Sequence, residues 1–231
     1  MPSGLNSIHN NLYFKWEGVT TMSLGIMKIM LFMGITGHAI NMYCDRILSI
    51  FPNGTLNFGN IKDIGKGDMA ARLMEGVSEK IPMRSAVLGV FALVLEFLGY
   101  FSLASYTYGY SKVYGSIMFV MTALFCIVGV AYHVKTALAE YLFIKWGRDE
   151  KVKGMMLDLM NEAPILRICA VGLLAYIIVL IIAIITGTIG FPIWALLFTI
   201  IPVFILVLPF KIIGSLHIAA MISMLAWMLL L

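Results

Sequence analysis

Three histidines in separate hydrophobic segments are the residues of this chain best suited to chemistry. His38, His133 and His217 each lie in their own apolar stretch, and ionisable side chains inside a bilayer are costly enough to indicate a function. Neutral imidazoles suit divalent transition metals, and zinc accepts three protein ligands while leaving a fourth position for an activated water. We therefore predict a metal site, with zinc as the expected ion and these three histidines as its ligands.

Two acidic residues follow two of these histidines at the same interval. Asp45 lies seven residues after His38, and Glu140 lies seven residues after His133. Seven residues make about two helical turns, so each acid returns to nearly the same face about 10 Å away. Because that rise is too long for contact within one helix, each acid is expected to meet a residue of another helix or a shared polar path. Asp45 is the predicted general base or additional ligand.

A carboxyl group near the middle of the second apolar segment supports a different chemistry. Glu96 must be protonated, paired or facing water at that depth. With Glu140, Asp45 and the histidines it would form a proton path, as in a small proton-coupled transporter. This is the alternative to a metal-dependent intramembrane hydrolase of a lipid-like substrate. Haem ligation by two histidines, and a structural or accessory subunit whose histidines only join helices, are further alternatives.

The composition requires that these residues be positioned by membrane helices. Of the 231 residues, 61% are hydrophobic and 12% are charged, and the mean hydropathy of +0.96 is far above that of soluble domains. About 20 apolar residues cross a bilayer core as a helix. The sequence therefore predicts an all-α polytopic bundle, a single integral membrane domain over residues 1–231, with six spans at approximately 20–43, 84–106, 113–135, 166–186, 191–209 and 212–231.

Basic residues are concentrated in the loops after the first and third spans, which predicts the orientation of the chain. These loops should be cytoplasmic and both termini outside, in the plasma membrane. Acidic residues alternate with the basic ones, which argues against nucleic-acid binding. Apolar residues at helical spacing in 67–80 and 155–162 predict two interfacial amphipathic helices. Arg84, at the start of the second span, is a candidate to receive an anionic headgroup of a lipid-like substrate. The sequence does not indicate an oligomeric state.

Three stretches of the chain resemble a group of uncharacterised bacterial integral membrane proteins of similar length. They are GHAINMYCD, IPMRSAVLGVFALVLEFLGY and GVAYHVKTALAEY, in the first, second and third predicted helices. The resemblance covers roughly the first two thirds of the chain and implies a six-helix membrane fold without implying an activity. In its inventory of histidines, an aspartate and a serine, the chain is also similar to membrane hydrolases of the alkaline ceramidase and adiponectin-receptor type. Those families have seven spans and pair two histidines on one late helix, where this chain has His217 alone.

Overall fold

The computed structural model describes residues 22–56, 63–161 and 163–231. Within these ranges the protein is all-α, as the sequence predicts, apart from a short hairpin of β1 (Ile50–Phe51) and β2 (Gly54–Thr55). The helices are α1 (Leu24–Ile47), α2 (Met69–Leu73), α3 (Lys80–Tyr110), α4 (Lys112–Lys145), α5 (Glu150–Asn161), α6 (Ala163–Ile185), α7 (Ile200–Val207) and α8 (Ser215–Leu230).

Four helical stretches are long and apolar enough to cross a membrane. They are α1, α3, α4 and the stretch that ends with α6. Large apolar side chains on their outer surfaces are widely exposed, for example Phe91 at 63% and Ile127 at 67%. Water would disfavour so much exposed apolar surface, whereas lipid accommodates it. The structure therefore supports the predicted class of a membrane protein.

The last two predicted spans are shorter helices in the structure. One 3-10 helix precedes α7 and another follows it, and α8 has 16 residues. At about 1.5 Å per residue, α8 is about 24 Å long, which is less than the ~30 Å of a bilayer core. The chain turns between α7 and α8 at Lys211 and Gly214, which have φ angles of 52° and 82°. A count of six spans therefore remains a prediction.

Three helices extend further toward the charged loops than their hydropathy predicts. α1 continues to Ile47, α3 begins at Lys80, and α4 continues to Lys145. Lysine, arginine and glutamate favour helix nearly as well as leucine does, so the apolar part of a segment marks its contact with lipid rather than its end. As a result, Asp45 and Glu140 both lie inside helices.

The charged loops pack together into a second hydrophobic cluster, which we call the loop core. The predicted interfacial helix at 67–80 is helical only in α2 and then from Lys80, because the chain turns at Gly76 with a φ of 75°. Of the predicted helix at 155–162, residues 155–161 form the second half of α5, and residue 162 lies outside the described residues. The buried residues of the loop core are Phe51, Leu56, Ile64, Ala70, Leu73, Met74, Val77, Ala139, Phe143, Ile144, Val152 and Met156.

One arginine joins the two loops across the loop core. Arg148 donates from Nε to the carbonyl of Met74 at 3.2 Å and from Nη2 to the carbonyl of Val77 at 2.9 Å. Hydrogen bonds from a charged donor are stronger than neutral ones. The loops therefore form a folded unit at one end of the bundle.

The helices of the bundle are held together by close contacts at glycines. α1 packs against α3 and α8, α3 packs against α4, and α4 packs against α6. A Cβ atom at Gly34 would lie 2.8 Å from the Cα of Gly99, so no larger residue fits at this crossing. Small residues let membrane helices approach closely without a hydrophobic driving force. This crossing brings the polar residues of α1 next to α3.

Candidate functional site

Two of the predicted histidines meet Glu96 inside the bundle. The Nδ1 atoms of His38 and His217 are 2.9 Å apart, and Glu96 Oε1 lies 3.1 Å from the first and 3.7 Å from the second. The side chains of His38 and Glu96 are buried, and that of His217 is 13% exposed. We call these three residues the His–Glu cluster. It joins α1, α3 and α8.

A glycine beside His38 sets the distance between α1 and α3 at the cluster. A Cβ atom at Gly37 would lie 2.6 Å from the carbonyl oxygen of Ala92 and 2.7 Å from the nitrogen of Glu96. Any side chain there would push the two backbones apart. The absence of one therefore allows His38 to reach the carboxylate of Glu96.

The turn before α8 places His217 against α1. Gly214 has a φ of 82°, a conformation that favours glycine, and a Cβ atom there would lie 2.6 Å from Cγ of Met42. His217 is the third residue of α8, so it lies within one helical turn of this contact. This tight turn brings the first turn of α8 beside the second half of α1.

The outer nitrogen of each imidazole has its own polar partner. His38 Nε2 lies 3.1 Å from the hydroxyl of Tyr100, and His217 Nε2 lies 3.3 Å from a carboxylate oxygen of Asp45. Asp45 therefore contacts a residue of another helix, as the seven-residue interval predicts. Metal-binding histidines usually have such partners, which orient the ring and fix the tautomer.

Two buried oxygen atoms beside the cluster lack a hydrogen-bond partner in the part of the chain that the structure describes. Asn41 Nδ2 donates to Glu96 Oε1 at 3.0 Å, which leaves Asn41 Oδ1 and Glu96 Oε2. Leaving a buried acceptor unsatisfied costs about 1–3 kcal/mol. Two such acceptors beside the same cluster favour a cation or a hydrogen-bond donor bound there.

The three converging atoms of the cluster have the spacing of metal ligands. Zinc binds nitrogen and oxygen at about 2.0–2.1 Å, and tetrahedral geometry then places ligand atoms about 3.3 Å apart. The separations of 2.9, 3.1 and 3.7 Å lie on both sides of that value. Two histidines with one glutamate also form a known ligand set of catalytic zinc sites. His38, Glu96 and His217 could therefore hold one divalent ion.

His133 lies apart from the cluster, contrary to the predicted set of three histidines. Its Nε2 lies 3.1 Å from the carbonyl oxygen of Ser85 and 3.3 Å from the hydroxyl of Ser85, and its ring occupies the space beside Gly89. His133 thus joins α4 to α3. In the structure, the group that lies beside His38 and His217 is the carboxylate of Glu96 instead.

Glu140 and Arg84 also lie outside the cluster. Glu140 is buried toward the end of α4, next to Ala139 of the loop core. Arg84 is exposed, and its guanidinium lies 5.5 Å from the centre of the Tyr43 ring. Glu96 follows Arg84 by twelve residues on α3, which is about 18 Å along the helix axis. Neither residue is therefore placed to act on the same atoms as the cluster.

From the sequence, Glu96 is predicted to belong to the alternative proton path with Asp45, Glu140 and the histidines, and no role is predicted for Asn41. A signal for both was present on α1, where His38, Asn41 and Asp45 are spaced by three and four residues and so form one polar stripe. A polar stripe on a membrane helix requires polar partners on the helices that it faces. Glu96 is the acidic residue of α3 at the corresponding depth.

The comparisons with known proteins identify a family without a function. Residues 20–231 match the model of DUF6796, a family of unknown function. No curated protein and no solved structure matches the chain.

Proposed function

Since the chain belongs to the DUF6796 family, which has no known function, we propose its function from the geometry of the His–Glu cluster. The protein is a metal-dependent membrane hydrolase, and His38, Glu96 and His217 bind one divalent ion, with zinc as the expected one. The observation that carries this proposal is the convergence of two imidazole nitrogens and one carboxylate oxygen at ligand spacing. The two buried acceptors without partners beside them add to it.

Each residue around the cluster has a defined role in this proposal. Asp45 accepts a hydrogen bond from His217 Nε2, so that the lone pair of Nδ1 faces the cluster. Asn41 holds one oxygen of Glu96, and Tyr100 holds the outer nitrogen of His38. A bound ion would supply Lewis-acid activation of a carbonyl or phosphoryl group and of water. Asp45, whose side chain is 40% exposed, is the group that can pass protons between the site and water.

The depth of the cluster indicates the substrate class. His38 and Glu96 are buried among helices whose outer surfaces are apolar, so a substrate that reaches them must enter from the lipid or from the side of Asp45. A lipid-like, membrane-embedded molecule satisfies both routes. The concentration of basic residues in the two loops orients these loops and Asp45 toward the cytoplasm, with both termini outside and the plasma membrane as the location.

The metal content of purified variants tests the proposal. The protein is prepared in detergent without a histidine tag or chelator, and its metals are measured by elemental analysis after zinc loading. We expect one zinc per chain in the unmodified protein and a loss of at least tenfold in His38→Ala and in Glu96→Gln. The matched control is His133→Gln, which alters a buried histidine outside the cluster and should retain the metal.

Two outcomes would contradict this proposal. If the unmodified protein binds no divalent ion after loading, the metal site does not exist. If His133→Gln loses metal as completely as His38→Ala does, the ligand set is wrong. If instead the metal is bound as expected, hydrolysis of ester and amide lipids is screened with the zinc-loaded protein, with Glu96→Gln as the inactive reference.

A second candidate function has one specific observation in its favour. The groups Asp45, His217, His38 and Tyr100 form a continuous chain of contacts between 2.9 and 3.3 Å, from a part-exposed carboxylate to a buried hydroxyl. Such a chain can carry protons, as a proton-coupled transporter requires. The series ends at Tyr100, which is buried, and within the described residues the hydroxyl of Thr107, further along α3, has no hydrogen-bond partner. Transport would therefore require a second conformation that opens the other side.

Proteoliposomes distinguish the two functions. The transporter predicts proton uptake by the metal-free protein, driven by a membrane potential and abolished by Glu96→Gln. If the metal-free protein moves no protons and the zinc-loaded protein hydrolyses lipid, the transporter function is excluded.

A further inference from the structure

An open cleft lies where α3 begins and α4 ends, at the charged-loop end of the bundle. Its volume is about 440 Å³, and it is lined by Glu79, Lys80, Met83, Arg84, Val87 and Tyr141. We call it the Arg84 cleft. It lies at the level where α1, α3 and α4 leave their apolar segments, which is the level of the membrane interface.

Two of the three charged residues that line the cleft are basic, Lys80 and Arg84, and the third is the acidic Glu79. Within the described residues, neither Lys80 nor Arg84 forms an ion pair. Lys145 lies beside the cleft, and its Nζ donates to the hydroxyl of Tyr141 at 2.6 Å. Arg84 lies over the ring of Tyr43, a contact that leaves the N–H groups at the edge of the guanidinium free to bind an anion.

An apolar stripe extends from the cleft along the outer surface of α3. Met83, Val87, Phe91 and Val94 are spaced by four, four and three residues, which places them on one face of the helix. All four are exposed, at 37, 54, 63 and 54%. From Met83 to Val94 the stripe is about 16 Å long, close to half of the ~30 Å hydrocarbon core.

The combination of the cleft and the stripe matches one kind of ligand. A phosphate group requires the cations, and a hydrocarbon chain about one leaflet long requires the stripe. A free phosphate would use only the first, and a neutral lipid would use only the second. We propose that the Arg84 cleft binds one anionic phospholipid of the leaflet on the charged-loop side, with its phosphate at Lys80 and Arg84 and one acyl chain along the stripe.

This lipid is not the substrate of the His–Glu cluster. Glu96 is thirteen residues after Met83, so it lies on nearly the opposite face of α3 and is fully buried. The bound chain follows the outside of the bundle and does not reach the cluster. The lipid site would therefore attach α3 and α4 to a negatively charged leaflet. It does not depend on the function proposed for the His–Glu cluster.

Lipid binding to the full chain in detergent tests the site. Native mass spectrometry compares dioleoyl phosphatidylglycerol with dioleoyl phosphatidylcholine, using the unmodified protein and Lys80→Gln/Arg84→Gln. Each Lys or Arg at the interface strengthens the attraction to an anionic lipid. The loss of both Lys80 and Arg84 should therefore weaken the binding of phosphatidylglycerol by about 30-fold. The matched control is Lys66→Gln/Lys151→Gln, which removes two exposed charges from the same loops. We expect the control to bind phosphatidylglycerol as the unmodified protein does.

The remaining comparisons separate the headgroup from the chain. Dihexanoyl phosphatidylglycerol and glycerol 1-phosphate should bind much more weakly than the dioleoyl lipid, and Val87→Ser should weaken only the long-chain lipid. Equal affinity for phosphatidylcholine, or an equal loss in both double variants, would overturn the proposal. Glycerol 1-phosphate binding as tightly as the dioleoyl lipid would show that the site takes a soluble phosphate instead.

Discussion

At the scale of single residues, His217 is the histidine of the cluster that lies between two acids. Its Nδ1 lies 3.7 Å from Glu96 and its Nε2 lies 3.3 Å from Asp45. A proton on Nε2 that is donated to Asp45 leaves a lone pair on Nδ1, which is the form that a metal binds. This tautomer is assigned from the hydrogen-bonding partners. In the proposed metal site, Asp45 therefore orients the His217 ring without being a ligand.

We expect Asp45→Asn to weaken metal binding without abolishing it. An asparagine oxygen still accepts from His217 Nε2 but lacks the negative charge that strengthens the bond. Loss of such an outer partner typically costs 10–100-fold in metal affinity. A competition titration of zinc against a chromophoric chelator measures the change. Asp158→Asn, an exposed acid on α5, is the control, and an unchanged affinity in Asp45→Asn would show that Asp45 does not orient the ring.

The histidines show which properties of a residue the sequence can predict. Depth was predictable, because hydropathy places His38 and His217 at similar levels, and the two meet in the structure. The direction in which each helix face points depends on packing between helices, and no spacing within a single segment determines it. His133 therefore lies at a comparable depth but faces Ser85. Glu96 faces the histidines even though its segment offered no sign of it.

At the scale of the helices, the crossing of α1 and α3 is the element that assembles the cluster. Gly34 and Gly99 touch at one point, and Gly37 contacts the backbone of α3 one turn further along. The sulfur of Met224 on α8 covers the first of these contacts. Three helices are thus fixed relative to each other within a few residues of His38.

Gly37→Ala should destabilise the protein and reduce the binding of zinc by the His–Glu cluster. The added methyl group would overlap the backbone of α3, and overpacking of this kind costs about 1–3 kcal/mol. The control is Gly25→Ala on the same helix, where the nearest atom to the new methyl is 4.0 Å away. That variant should be neutral or stabilising, because alanine favours helix more than glycine does by about 1 kcal/mol. Thermal unfolding in detergent and zinc content measure both effects, and equal behaviour of the two variants would contradict this account of the crossing.

The boundaries of the helices were the less predictable part of the fold. The apolar segments located α1, α3, α4 and α6, but their charged ends continue as helix, as at Asp45 and Glu140. The opposite deviation occurs at 67–80, where the apolar spacing predicted a helix and Gly76 interrupts it. Four side chains of that segment, Ala70, Leu73, Met74 and Val77, are buried in the loop core, so tertiary packing rather than local periodicity determines its path.

At the scale of the whole molecule, the arrangement consists of long helices with charged loops at one end and a short helical pair, α7 and α8, whose turn approaches the same end. Gly214 in that turn touches Met42 near the end of α1. Lys211 beside it is exposed. The turn and the two charged loops should therefore face the same side of the membrane.

Labelling of single cysteines in intact cells tests this orientation. We expect Gly109→Cys, in the last turn of α3, to react with an impermeant maleimide in intact cells. Lys151→Cys and Lys211→Cys should react only after permeabilisation, because the proposed orientation places both on the cytoplasmic side. Labelling of Lys211→Cys in intact cells would place the turn outside and contradict a six-span arrangement. The natural cysteines are first replaced by alanine; these are Cys44, Cys126 and Cys169.

The contacts from Asp45 through His217 and His38 to Tyr100 run from an exposed group to a buried one, since the Asp45 side chain is 40% exposed and Tyr100 is buried. An ion held at the His–Glu cluster, as we propose, would therefore exchange through the end of the bundle where Asp45 lies. Its occupancy would follow the free ion concentration on the charged-loop side of the membrane, even though the ligands lie among the membrane helices.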